Sequence, residues 1–267
     1  MKSSGSPSDH YCATVRVAIL LLAGLAAGSL PTLAAAPAPD AAAPPGDVAR
    51  CVAGAALDLQ RLLAPPPAQG SADTRAELDE LLQLQATRTP AQVERARGDA
   101  ELSVARFADA LGNPAPLTEA AAPRTTQLLR DAAAAELAVV GPAKDRFARP
   151  RPYVVDTRLE PVVRRPTSAA YPSGHAAWAY TVGLVLADMV PERRSQILAR
   201  AQEFARNRSL AGVHYPSDVL AGEIAGTAIA ASLFACPAFQ AEEAAATPEL
   251  RKALGLPALQ LPQQPSG

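Results

Sequence analysis

Apolar residues recur at helical spacing along most of the chain, and strand-like alternation of apolar and polar residues is scarce. Ala, Leu, Arg and Glu carry the helical pattern, while aromatic residues make up only 4% of the sequence. Strands prefer Val, Ile, Thr and aromatic residues in alternation, so this pattern favours helices. The 267 residues are enough for one sizeable core. We therefore predict an all-α fold, organised as a single-domain helical bundle.

Capping and turn residues divide this pattern into predicted helices. The first covers 48–63, the second follows a capping box of Thr74 and Glu77, and the third begins at Thr89, Pro90 and Gln92 and ends near Gly112. Further helices cover 123–140, 175–190 and 191–204, and the last begins near Pro216 and runs through VLAGEIAGTAIAASLFA. Gly141 and Pro142 are expected to end the fourth helix and to open a basic, proline-rich loop. Residues 241–267 are predicted to form a loosely packed or disordered tail.

Residues 1–36 have the features of an export signal. Lys2 and Arg16 precede the apolar run at 17–30, and small residues follow at 32–36. This run is shorter than the ~20 apolar residues that a membrane-spanning helix usually needs. We predict a cleaved signal peptide and a periplasmic protein that keeps no stable membrane anchor. Residues 37–47 would then be a Pro- and Ala-rich linker, and 48–240 the helical domain.

The net charge of −1 gives no global attraction to nucleic acid or to acidic membranes. Any anion site must therefore come from a local cluster of cations. After removal of the leader, Cys51 and Cys236 remain, and either one disulfide or two buried thiols fits an exported protein. No cluster of His or Cys pairs suggests a metal site. The sequence leaves open whether the protein is a homo-oligomer.

The segment PSGH at 172–175 has the features of an anion site. Pro172 fixes one backbone dihedral and Gly174 permits close approach, so the amides at the start of the next helix can face a ligand. The positive end of the helix dipole favours a bound anion, and the hydroxyl of Ser173 adds a donor. The alternative is an ordinary Ser N-cap with an incidental histidine at position 175.

Both histidines beyond the leader, His175 and His214, belong to chemically rich segments. His214 and Asp218 are four residues apart, which on a helical turn places both side chains on one face. A carboxylate there can accept the Nδ1–H of the imidazole and leave Nε2 free as a nucleophile or base. Asp218 could instead only cap the helix near Pro216. Arg208 precedes His214 by six residues and could reach the same site.

The segment KDRFARPRP supplies further positive charge. Lys144 and Arg151 are seven residues apart and could converge on one tetrahedral dianion. Arg suits bidentate contact with phosphate and Lys suits a point-charge contact. Arg149 is an alternative to Arg151 that spacing cannot exclude. Without the other segments, this charge run would be interpreted as a solvated loop.

The order of these motifs resembles a known family. The motifs are Lys144, six residues, Arg151 and Pro152; then Pro172, Ser173, Gly174 and His175; then Arg208, five residues, His214, three residues and Asp218. This order is similar to the three-part signature of the type 2 phosphatidic acid phosphatase and vanadium haloperoxidase superfamily. Within it, the chain most resembles the bacterial class A non-specific acid phosphatases, over roughly 140–240. Asn207 stands where that family usually has Ser, which puts the fine positioning of the site in question.

The resemblance implies a role for each matching residue. His214 would be the nucleophile that forms a phosphohistidine, Asp218 would orient it, and His175 would be the general acid and then the general base. The non-bridging phosphate oxygens would be bound by Lys144, Arg151, Ser173, Gly174 and Arg208. These residues would place the site at helix ends and connecting loops. A general acid with the ordinary imidazole pKa of ~6.5 implies better turnover on the acid side of neutral pH.

We therefore expect an acid phosphatase that hydrolyses a broad range of phosphate monoesters and needs no cofactor or metal. Vanadate is expected to bind as a phosphate mimic. Two other activities fit the same motifs: a vanadate-dependent haloperoxidase and a lipid phosphate phosphatase of the same superfamily. A lipid phosphatase embedded in the membrane would need several spanning helices, and only the leader qualifies in this sequence. A protein that binds anions without catalysis is the third alternative.

Overall fold

The structure, a computed structural model, describes residues 57–112 and 117–259, and its regular elements there are helices. In chain order they are α1 (Leu59–Leu62), α2 (Ala72–Thr87), α3 (Pro90–Gly98), a 3-10 turn (Val104–Phe107), α4 (Pro123–Phe147), α5 (Pro152–Val155), α6 (Gly174–Met189), a 3-10 turn (Pro191–Arg193), α7 (Arg194–Leu210), α8 (Pro216–Phe234) and α9 (Pro237–Ala253). No strand occurs in these two stretches. The predicted all-α fold is confirmed.

Helix α6 is the centre of the bundle and packs against α4, α7 and α8. Its sequence is apolar on all sides, and most of its residues are buried, among them Trp178, Val182 and Leu186. Two glycines of α8 allow its close approach to α6. A Cβ at Gly222 would overlap the carbonyl oxygen of Ser173, and a Cβ at Gly226 would overlap that of Ala177. The spacing of these two helices is therefore set by backbone contact at the end of α6 that carries the PSGH motif.

The capping residues of α2 and α3 test the predicted starts of these helices. The capping box of Thr89 and Gln92 forms at the start of α3. The predicted box of Thr74 and Glu77 is wrong, because Ser71 caps α2 and accepts from the amide of Thr74. Helix α3 also ends at Gly98 rather than near Gly112.

Helix α4 continues through Gly141 and Pro142, where the sequence was expected to break it. It ends at Phe147, with Ala148 in the left-handed conformation at φ 46°. Val140 and Ala143 on either side of the break are buried in the core, so packing favours the helical conformation over the local propensity of Gly and Pro. As a result, Lys144 lies in the last turn of a helix rather than in a loop.

The predicted tail at 241–267 is wrong as far as residue 253. Helix α9 runs to Ala253 and packs against α4, with Phe239, Ala246 and Leu250 fully buried. Arg251 is also buried, and it binds the carboxylate of Glu192 at 2.8 Å. The packing of α9 against the core is hard to predict from its Ala-rich sequence, because only a few larger apolar residues mark its buried face.

The predicted signal peptide, the linker and most of the first helix lie outside the described residues, as does Cys51. Cys236 is disulfide-bonded, which excludes the expectation that it is a free thiol. Its pairing with Cys51 stays a prediction. One helix in the described stretches, Pro216–Phe234, is long and apolar enough to cross a membrane by length and composition alone. Half of its most apolar window is buried inside the protein, in keeping with its interpretation as a core helix.

Candidate active site

The predicted site residues converge at one end of the bundle, where α4, α6 and α7 end or begin beside α8. The charges of Arg151, Lys144 and Arg208 all act on the imidazole of His214. The loops that connect these helices supply Arg151 and His214, and the helix ends supply the others. The three sequence segments are therefore one cluster in space.

Asp218 holds the ring of His214. His214 immediately precedes α8 and Asp218 lies in its first turn, with Oδ2 3.2 Å from Nδ1 of His214. The same Oδ2 accepts from the amide of Tyr215 at 2.9 Å, so Asp218 caps the helix as well. Both of the roles considered for Asp218 from the sequence are present. Burial raises its pKa to about 6, while the neighbouring Arg149 acts in the opposite direction.

Arg151 contacts the other nitrogen of His214. Its Nη1 lies 2.8 Å from Nε2 of His214, and it also donates to the carbonyl of Val213 at 2.8 Å. Because a guanidinium can only donate, Nε2 is the acceptor and Nδ1 carries the proton that faces Asp218. Burial, followed by the charge of Arg151, lowers the pKa of His214 well below its ordinary value. His214 is therefore a neutral imidazole with its Nε2 lone pair turned toward the cations.

Arg149 binds Asp218, the residue that holds His214, through the carboxylate oxygen that His214 does not contact. It binds Asp218 at 2.6 Å and Glu77 at 2.7 Å, and its guanidinium lies 3.8 Å from the centre of the Tyr215 ring. The structure thus separates the two arginines that the sequence could not: Arg151 reaches His214, and Arg149 binds the carboxylate that orients it. Glu77, which the sequence analysis treated only as a capping residue, joins this support through the side chain of Arg149.

Arg208 presents donors that no group in the described part of the chain accepts. Arg208 is 2% exposed, and its Nε and Nη1 have no hydrogen-bond partner within residues 57–112 and 117–259. Burial, followed by the charge of Arg151, lowers its pKa to about 10. Buried guanidinium groups normally have all their donors paired, so these two point to a bound anion as the missing partner.

Lys144 and the start of α6 complete the cationic end of the site. Nζ of Lys144 donates to the carbonyls of Ala169 at 3.0 Å and Pro172 at 2.6 Å. Burial, followed by the charge of Arg151, lowers its pKa to about 7. Ser173 caps α6 and is fully buried, while Gly174 lies where an added Cβ would be 3.6 Å from Cε of Lys144. The positive end of the α6 dipole therefore faces the same space as the side-chain cations.

His175 lies in the first turn of α6, with its ring stacked on Phe204 at a centroid distance of 6.3 Å. Its Nε2 is 3.1 Å from the carbonyl oxygen of Ala100. Burial, followed by the charge of Arg208, lowers the pKa of His175 to about 3. The ordinary imidazole pKa that we expected is therefore wrong for this ring, because the sequence did not show how Arg208 and the fold surround it.

Glu136, a buried carboxyl group beside Lys144, was not among the residues predicted from the sequence. An added Cβ at Gly174 would lie 3.7 Å from Oε1 of Glu136, and this oxygen has no hydrogen-bond partner among the residues that the structure describes. Burial raises the pKa of Glu136 to about 8, against the effect of Lys144. Glu136 precedes Lys144 by two helical turns, so an unbroken α4 would have predicted that they share a face.

Within residues 57–112 and 117–259, no group of three or more His, Cys, Asp or Glu side chains is arranged to hold a metal ion. The donors that converge are cationic or neutral: two arginines, one lysine and a helix start. Such a set suits a tetrahedral oxyanion, and the neutral Nε2 of His214 lies at its edge.

Comparison with known proteins agrees with this chemistry. The family model described as PAP2 superfamily matches residues 130–242, which contain every predicted site residue. A non-specific acid phosphatase of Providencia stuartii is 32% identical over 210 residues, which cover 74% of this chain and 82% of that protein. The chain belongs to the PAP2 superfamily. An acid phosphatase of Zymomonas mobilis is 31% identical over 201 residues, covering 72% of this chain and 75% of that protein.

Among solved structures, a bacterial vanadium-dependent iodoperoxidase is similar to this PAP2 superfamily member, with a TM-score of 0.50 and 19% identity. The match covers 65% of this chain and 52% of the iodoperoxidase, so the chain spans about half the length of that protein. This likeness concerns the fold alone.

Proposed function

We propose that this protein is an acid phosphatase that hydrolyses phosphate monoesters of broad range through a phosphohistidine at His214, without a metal ion. The observation that carries the proposal is the state of His214. Its Nδ1 faces Asp218 and its Nε2 is an acceptor. The two donors of Arg208 that find no acceptor among the described residues belong to the same cationic cluster. The acid phosphatases of Providencia stuartii and Zymomonas mobilis support the choice of reaction.

In the first step, Nε2 of His214 attacks phosphorus and the bond to the leaving oxygen breaks. Asp218 stabilises the positive charge that the ring acquires, and His175 gives a proton to the leaving oxygen, so that an alcohol is released. The equatorial oxygens are neutralised by Arg151, Arg208, Lys144, the hydroxyl of Ser173 and the amide of Gly174. Such neutralisation is the main task of a phosphoryl-transfer catalyst.

In the second step, water attacks the phosphohistidine and His175 takes a proton from it. Orthophosphate leaves and His214 returns to its neutral state. Vanadate, with the same charge and shape, would occupy the same donors and inhibit the reaction. No cofactor is required by either step.

The low pKa of His175 is compatible with activity at acid pH, because the substrate can bring the proton. A phosphate monoester has a second pKa near ~6, so its monoanion predominates below that pH. The bound dianion would offset the charges of Arg208 and Lys144 that lower the pKa of His175, and would let the proton move to the ring. Activity is therefore expected to fall as the pH rises above about 6.

The proposal includes export to the periplasm by residues 1–36, which lie outside the described residues. Its substrates would be small soluble phosphate monoesters, recognised by the phosphate rather than by the leaving group. We infer no nucleic acid partner, since the net charge is −1.

The test is release of phosphate from p-nitrophenyl phosphate by the purified protein between pH 4 and 9, with and without a chelator. We expect chelator-resistant activity with an acid optimum and a loss of about 10³-fold or more in His214→Ala. Activity that disappears with the chelator would contradict metal independence. If the protein releases no more phosphate than His214→Ala but oxidises halide once vanadate is added, the haloperoxidase alternative replaces this proposal.

A further inference from the structure

The segment that directly follows α3 contacts His175, the proposed general acid. The carbonyl oxygen of Ala100 lies 3.1 Å from Nε2 of His175. A carbonyl only accepts, so Nε2 carries a hydrogen there and the neutral ring keeps its lone pair on Nδ1. Nδ1 is then the nitrogen left to exchange a proton with substrate. The position of one backbone carbonyl therefore selects the tautomer of the proposed general acid.

Asp99, the residue before Ala100, is fully buried and has three side-chain partners. It accepts from Arg106 at 2.9 Å and from Nδ2 of Asn207 at 2.7 Å, and it forms a short ion pair with Arg200. Burial opposes ionisation of Asp99, but the hydrogen bonds from Arg200 and Asn207 outweigh it and lower its pKa. A buried carboxylate with this many donors fixes the local backbone firmly.

Two of these partners come from α7, the helix that carries Arg208. Asn207 is adjacent to Arg208, and Arg200 lies two turns earlier on the same helix. Arg200 also donates to the carbonyl of Arg106 at 2.8 Å, which ties the 3-10 turn to α7. The segment that touches His175 and the helix that supplies a phosphate donor are thus joined through Asp99.

We propose that Asp99 is a positioning residue for His175: its buried bonds to Arg200, Arg106 and Asn207 hold the Ala100 carbonyl against Nε2. This rests on the proposed role of His175 as the general acid. It also gives a reason for asparagine at position 207. A serine side chain ends one bond earlier and would not reach Oδ2 of Asp99 as closely.

Loss of proton donation slows hydrolysis most for substrates with poor leaving groups. A general loss of structure slows the hydrolysis of all substrates alike. We would therefore measure kcat/KM for p-nitrophenyl phosphate and for an alkyl phosphate in the wild type, Asp99→Asn, Asn207→Ser and His175→Ala. Glu192→Gln is the control, because it removes a carboxylate charge from an ion pair with buried Arg251 beyond the other end of α6, although Glu192 itself is more exposed than Asp99.

We expect His175→Ala to lose about 10²-fold or more on the alkyl phosphate and much less on p-nitrophenyl phosphate. Asp99→Asn should show the same selectivity at about tenfold, and Asn207→Ser at about threefold. Glu192→Gln should leave the ratio between the two substrates unchanged. If Asp99→Asn does not fold, Asn207→Ser carries the test.

A second readout does not depend on catalysis. The chain has three histidines, so the imidazole ¹⁵N signals can be assigned with single His→Ala variants. We expect His175 of the wild type to be the Nε2–H tautomer, and Asp99→Asn to show a mixture of both tautomers.

The outcomes separate the two proposals. Equal losses on both substrates in Asp99→Asn and Asn207→Ser, together with an unchanged tautomer, would make Asp99 a structural residue only and overturn this inference. If His175→Ala itself shows no leaving-group selectivity, the role of His175 in the proposed function is wrong, and the inference is overturned with it.

Discussion

Arg149 and Asp218 form a buried ion pair directly behind the proposed nucleophile, with Nη1 of Arg149 2.6 Å from Oδ1 of Asp218. Arg151, two residues later, lies on the other side of the same histidine, 2.8 Å from Nε2 of His214. Alternate residues of one extended segment thus bind the two ends of the His214–Asp218 pair. We expect removal of Arg149 to reduce mainly the stability of the protein, and removal of Arg151 to reduce mainly its activity.

Arg149→Met should mainly destabilise the protein. It would leave Asp218 buried without its charge partner, which costs about 3–5 kcal/mol and lowers Tm by about 10 °C. Arg151→Met should instead lower kcat/KM by about 10²-fold or more, with a much smaller change in Tm, because it removes a phosphate ligand. Thermal unfolding and kinetics of both variants check this. The reverse pattern would mean that Arg149 is the phosphate ligand.

The sequence predicted the residues of the site better than their environment. The three motifs, in the order that resembles the superfamily signature, predicted that His175, His214, Asp218 and the cations lie together. Spacing could not separate Arg149 from Arg151, because the difference depends on how the extended segment between α4 and α5 turns its side chains.

Errors in the predicted fold have a common physical cause. Gly141 and Pro142 locally disfavour the helix that packing imposes on α4, and the small residues of α9 give too little hydrophobic contrast to reveal its buried face. For the same reason Glu136 was missed, since its place beside Lys144 depends on an unbroken α4. The low pKa of His175 depends on burial and on Arg208, which no local pattern contains.

Arg208 should be dispensable for folding and required for anion binding. Its charge is disfavoured in the folded protein by burial and by Arg151, so Arg208→Met should keep or raise the Tm measured without phosphate. Inorganic phosphate at about 100 times its Kd should raise the wild-type Tm by about 5 °C or more.

In Arg208→Met this rise should largely disappear, while the exposed control Arg130→Met should respond like the wild type. Differential scanning fluorimetry across a phosphate titration, repeated with vanadate, gives the result. An unchanged response in Arg208→Met would place the anion elsewhere.

Glu136 should make the protein less stable as the pH rises. Its pKa is about 8 in the folded protein and has its ordinary value of 4.5 when unfolded. Between these values the folded state binds more protons than the unfolded state, so its contribution to stability falls through that range. Glu136→Gln removes this dependence.

We therefore expect the Tm of Glu136→Gln, relative to the wild type, to increase by about 3 °C or more between pH 5 and pH 8. The exposed control Glu242→Gln should show no such trend. Parallel pH profiles for Glu136→Gln and the wild type would contradict the raised pKa.

Alanine substitutions at Gly222 and Gly226 should differ in their effect on activity, although both glycines pack α8 against α6. An alanine at either position overlaps a backbone carbonyl of α6, so each should destabilise the protein by about 1–3 kcal/mol. The carbonyl at Gly222 belongs to Ser173, within the proposed phosphate site.

Gly222→Ala should therefore reduce kcat/KM about tenfold more than Gly226→Ala, since small displacements of catalytic groups are costly. Kinetics at a temperature where both variants are folded check this. Equal losses would show that the start of α6 tolerates displacement.

The central claim is that His214 carries the phosphoryl group. Its most direct test is to mix the enzyme with a ³²P-labelled phosphate monoester, quench in alkali, where phosphohistidine survives, and locate the label by peptide mass spectrometry. We predict label on His214 in the wild type, increased labelling at this position in His175→Ala when the substrate has a good leaving group, and none in His214→Ala. Turnover without any trapped label on His214, or label on another residue, would contradict the account.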